Sequence, residues 1–174
     1  AFADDNTLPA PTAADFTAAG VTGVDAANLA AINNALDGLA GPDVNTAAEV
    51  QAVVDAYTKI LAEANGATAD ATPADPTAVD YAAIGADIGV AATDAEALAL
   101  LNDVIGGKDP ADVDTPAEIE ALAAIVAKVL NAAAGGTPVP TEAELAAIGV
   151  TGVTAANLPA VLAAIAATDD SGSG

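Results

Sequence analysis

Chemistry in this chain has to come from carboxylates. The sequence holds 25 Asp and Glu, three Lys and two Tyr, with no His, Cys or Arg. Without an imidazole or a thiol, neither a Ser/His/Asp triad nor a Cys/His pair can be assembled. The only serines, Ser171 and Ser173, fall in the C-terminal SGSG. Paired carboxylates remain the one acid–base option. Asp15, Asp80 and Glu144, however, recur three residues after Thr12, Thr77 and Thr141, which is the spacing of a helix capping box. A capping role accounts for all three. No catalytic residue is assigned, and the chain is expected not to be an enzyme.

Acidic loops are the next candidates. Asp109, Asp112 and Asp114 lie in KDPADVD, and Asp169 and Asp170 in TDDSG, while Asp37 and Asp43 flank the corresponding loop upstream. Calcium takes about six to eight oxygen ligands and tolerates irregular loops. The five named first are therefore candidate ligands of weak calcium sites; no other cofactor is expected. Their spacing matches neither the EF-hand loop nor the Gly-rich calcium nonapeptide. Asp112 and Asp114 also simply precede the Thr115 cap.

The lysines carry little chemistry on this reading. Lys59 and Lys128 are related by an offset of 69, and Lys59 follows Asp55 by four residues, a favourable spacing for a weak helix-surface pair. Ala124 replaces that Asp in the second copy, so both lysines read as part of a solvated helix face. Lys108 sits beside Gly106 and Gly107. The Gly-rich GVTGV from Gly20 to Val24 invites a phosphate-loop reading, but no strand precedes it and no Lys follows. A tight helix-to-helix connection is the better account.

These residues are positioned by a repeat. GVTGVDAANLAAI from Gly20 returns as GVTGVTAANLPAVLAAI from Gly149, with a degraded copy from Gly85 between them. Pro11, Thr12, Asp15, Phe16 and Gly20 map onto Pro76, Thr77, Asp80, Tyr81 and Gly85 at an offset of 65, whereas Leu29, Ile32, Leu36, Thr46 and Glu49 map onto their counterparts at 69. Four residues are thus inserted around ADIGVAAT, as a loop tolerates. The third copy opens at Pro140, where Thr141, Glu144 and Leu145 succeed Thr77, Asp80 and Tyr81.

Periodicity supplies the elements. Leu29, Ile32, Leu36 and Leu39 form one helical face, with Asn28 and Asn157 as expected N-caps. Thr46 to Glu49 is a capping box before the stripe Val50, Val53, Val54, Tyr57, Ile60 and Leu61. The expected organisation is a lead-in over 1–10, a three-helix unit over 11–66, a linker over 67–75, a second unit over 76–136, a two-helix partial unit over 137–172 and a tail at 173–174. The partial unit reads either as a cap or as the start of further repeats.

Composition bounds the partners. A formal charge of −22 repels nucleic acid and anionic membrane surfaces. With Ala at 51 of 174 positions, helices can approach closely around a thin core. Residues Leu145 to Thr168 are uncharged, but two glycines, Asn157 and Pro159 argue against a membrane span. The start at Ala1 suits either removal of a signal peptide or excision from a longer chain.

The runs GVTGVTAANLPAVLAAIAATDDSG and GVTGVDAANLAAINNALDGLAG, with TAAEVQAVVDAY, resemble helical tandem repeats of very large bacterial surface and adhesin-like proteins. The resemblance implies an extracellular stalk, spacer or fibre subunit without enzymatic activity. Its partners would be neighbouring repeats, copies of itself or another surface protein. The expectation is an all-α fold of about eight helices in an extended array of three-helix units. Two alternatives are a helical module that binds a host or matrix protein, and an ice-binding protein. The second is disfavoured because Thr46, Thr115 and Thr154 sit at caps and turns rather than in a flat array.

Overall fold

Threonine starts most of the helices. In the computed structural model, which describes residues 9–66 and 75–167, Thr12, Thr46, Thr77, Thr115 and Thr141 precede α1 (Ala13–Ala18), α3 (Ala47–Glu63), α4 (Ala78–Ala83), α6 (Pro116–Ala133) and α7 (Glu142–Ala147). In each, an acid three residues on returns a carboxylate to the backbone N–H of the cap. These reciprocal bonds satisfy donors that a helix start otherwise leaves orphaned. The remaining helices are α2 (Leu29–Gly38), α5 (Ala95–Gly106) and α8 (Leu158–Ala166). Among the described residues the protein is all-α, with eight α-helices and no strand.

Asn28 and Asn157 precede α2 and α8, but neither side chain caps its helix. Each reaches backward instead. Asn28 Oδ1 accepts from the Asp25 N–H at 2.9 Å and its Nδ2 donates to the Gly23 carbonyl at 2.8 Å. Asn157 repeats this clip on Thr154 and Gly152. The expected caps are therefore staples of the GVTGV corner. The backbone there leaves the short helix through Gly20 and Gly149 at φ of +83° and +87°, a left-handed conformation that side chains resist.

Long helices carry the packing. α3 lies against α2, α4 and α5, and α6 against α5, α7 and α8. Gln51 on α3 bonds both the N–H and the carbonyl of Thr22 in the corner. Glu120, its counterpart on α6, accepts from Asp87, the counterpart of Thr22. The four-residue insertion folds as a 3₁₀ turn, Gly89–Ala92, that buries Ala91 against α5 and α6. The connections at Gly41–Val44 and Pro110–Asp112 are 3₁₀ turns as well.

One cluster of buried side chains runs from Phe16, Ile32 and Leu36 through Val54, Tyr57 and Ile60 to Tyr81, Leu101, Ile105 and Val126. The first two sequence repeats share this core rather than enclosing one each. The cause is the breadth of the α3 stripe, where Val53, Val54, Ala56, Tyr57 and Ile60 are all buried. Leu145 is buried outside the cluster, and α8 buries no residue.

Corresponding core positions solve one problem in three ways. Tyr81 donates its hydroxyl to Asn102 Oδ1 at 2.6 Å, and Asn102 Nδ2 donates to the Pro76 carbonyl at 2.9 Å. In the first repeat Asn33 makes the matching bond to Pro11, but Phe16 brings no hydroxyl and Asn33 Oδ1 is buried without a partner. The third repeat has Leu145 and Leu162 there, both apolar. Phe16→Tyr is therefore expected to stabilise the protein by about 1 kcal/mol, the usual net value of such a bond. Urea denaturation measures it; an unchanged or lower midpoint would be the contrary result.

Candidate functional site

The two matched lysines make a junction that recurs between long and short helices. Lys59 on α3 reaches Asp80 at 2.9 Å, and Lys128 on α6 reaches Glu144. Each acid is also the one that closes the capping box of the following short helix. One carboxylate thus starts a helix and ties it to the preceding long helix. The sequence reading of both lysines as a solvated helix face missed these partners, and Asp55, at the spacing of a weak pair with Lys59, accepts from Gln51. The signal that could have found the pairs was present: lysines at an offset of 69 and cap acids at an offset of 64 recur together.

Electrostatics follows the geometry. Lys128, joined by the Thr141 backbone, holds the Glu144 carboxyl down to about 2 from an ordinary 4.5. For Asp80, burial works upward, but the bonds from Lys59 and Thr77 outweigh it and leave the carboxyl below its usual range. Asp15 is lowered by Thr12, through its side chain and then its backbone, with no lysine.

A depressed carboxylate stabilises the folded state above its unfolded value and loses that contribution as pH falls through the folded one. The α6–α7 tie should accordingly weaken between pH 4.5 and about 2. The α3–α4 tie through Asp80 should weaken in the same direction, whereas α5, held in the shared core by buried apolar side chains, should keep its protection. Hydrogen exchange corrected for intrinsic rates should show α7 and α8 losing protection before α5. Glu144→Gln should abolish that pH response; equal loss in all helices would contradict it.

Asp15 borders an open cleft of about 420 Å³, lined also by Phe16, Ala19, Leu36, Val44 and Val50. In the second repeat the corresponding face is covered by α3, whose Tyr57 hydroxyl bonds the Val113 carbonyl at 3.2 Å. Asn34 of α2 bonds the Asp114 carbonyl beside it. Cover changes the burial: Ile84, Val113 and Ile119 are at most 1% exposed, whereas Ala19 is exposed and Val44 and Val50 are half-buried.

The calcium candidates are placed differently. Asp109 and Asp112 are exposed and engage each other's backbone across one 3₁₀ turn. Asp114 stands apart beside Glu118, its carboxyl raised by burial and then by that neighbour. Asp169 and Asp170 lie outside the described residues. Among the described residues no three acids converge as metal ligands would. The uncharged run from Leu145 is divided between α7, the corner and α8, and no described helix is long and apolar enough to cross a membrane.

The site thus defines a class only by architecture, an all-helical bundle with a recurring lysine-to-cap junction. No protein-family model matches the chain, and no curated protein or solved structure matches it either.

Proposed function

We propose that the chain is a non-catalytic structural repeat of a bacterial surface protein, built as tandem three-helix units and acting extracellularly as a stalk, spacer or fibre subunit. The observation that carries this reading is the junction made twice, by Lys59 with Asp80 and by Lys128 with Glu144. On this reading the junction ties one unit to the next, as a scaffold requires. A surface of many acids and few cations keeps such an array dispersed. Its partners on this reading are neighbouring repeats, further copies of itself or another surface protein.

The host- or matrix-binding alternative calls for apolar patches at equivalent exposed positions. Exposed Val79, Val90, Val139 and Val150 do not correspond between repeats, so that reading gains no support from them. Antibody raised against the folded chain should label unpermeabilised cells that make the natural protein. Labelling that appears only after permeabilisation would refute the surface role.

A further inference from the structure

We infer that the open cleft between α1, α2 and the start of α3 is the seat for helix α6 of a second copy of this chain, so that copies join head to tail when α6 is released from its own α7–α8. The inference rests on the structural-repeat reading and names the partner of its junction. Three observations carry it. Twice within the chain a long helix covers the two helices that follow it, α3 over α4–α5 and α6 over α7–α8. Among the described residues the pair α1–α2 has no such cover, and its cleft keeps the apolar lining that burial completes in the second repeat. Asp15 stands where Asp80 and Glu144 meet lysines, and it lacks one.

The complement already exists. α7–α8 keeps the pattern of α1–α2, with a nearly identical corner between the helices and with Glu144 for Asp15, Leu145 for Phe16 and Ile165 for Leu36. The face of α6 that fits α7–α8 therefore fits α1–α2 of another copy, with Lys128 meeting Asp15 in place of Glu144. The short connection from α6 to α7 gives the internal seat an effective concentration near millimolar. The closed chain consequently prevails in dilute solution, and α7–α8 acts as a guard on α6.

Sedimentation velocity on variants of the 174-residue chain tests this. Leu145→Asp removes the anchor of α7 and should give concentration-dependent species of at least twice the 16.5 kDa monomer mass. Adding Asp15→Lys should return the monomer, because two lysines then meet. Adding Lys128→Glu to that double variant should restore association. Glu144→Lys, at a side chain that is 26% exposed and not in the core, should behave as Leu145→Asp does if the latter loses helicity by circular dichroism. Helical variants that stay monomeric, or oligomers indifferent to Asp15→Lys, would overturn the inference. Either result leaves the surface role to be decided by cell labelling.

Discussion

Tyr57→Ala is expected to cost about 3–5 kcal/mol, the range for emptying an aromatic site in a packed core, and to unfold both of the first two sequence repeats together. Tyr57 is fully buried and belongs to the cluster that joins Phe16 to Val126. Its hydroxyl donates to the Val113 carbonyl, well outside its own repeat. Burial raises the phenol above its ordinary value, and Asp114 and Glu118 add to that, so the group stays a protonated donor. Tyr57→Phe keeps the ring and forfeits only the bond, a loss of about 1 kcal/mol. Circular dichroism in urea gives both numbers. With two Tyr and no Trp in the chain, Tyr57→Phe leaves Tyr81 as the fluorophore, and its emission should follow the same single transition. Separate transitions for the two signals would show that the repeats hold independent cores.

Legibility in the sequence divides along the range of the interaction. The caps at Thr46 and Thr115 and the stripe of α3 were readable because partner residues lie within one or two helical turns. The shared core was not. The period of Val53, Val54, Tyr57 and Ile60 predicts a helix face but cannot say that the face serves two neighbours. The lysine junctions were missed for the same reason: local spacing left both lysines on a solvated helix face, and only the packing of α4 on α3 brings Asp80 within reach of Lys59. Asn28 shows a subtler loss. Residue type and position fitted an N-cap, yet the side chain stabilises the corner before the helix, a choice that propensity does not encode. The acids of KDPADVD likewise looked alike in sequence, and folding separates Asp114 from the Asp109–Asp112 turn.

Asn102→Leu is expected to cost about 2–4 kcal/mol, because a buried donor and a buried acceptor lose their partner at once. The side chain is 4% exposed and bridges the Tyr81 hydroxyl to the Pro76 carbonyl. Leucine has similar volume, so the loss is polar rather than a cavity. Burial drives the Tyr81 phenol upward, with Glu63 and Asp80 adding to it, and ionisation cannot relieve the stranded hydroxyl. Tyr81→Phe alone should cost about 1 kcal/mol. The double variant Asn102→Leu, Tyr81→Phe should be more stable than Asn102→Leu, since the hydroxyl that lost its acceptor is gone. The pair Leu145 and Leu162 shows that apolar residues already occupy these corresponding positions in the third repeat. A double-mutant cycle in urea measures the coupling. Additive losses would mean that Tyr81 and Asn102 act separately, and the same logic would then remove the expected gain from Phe16→Tyr.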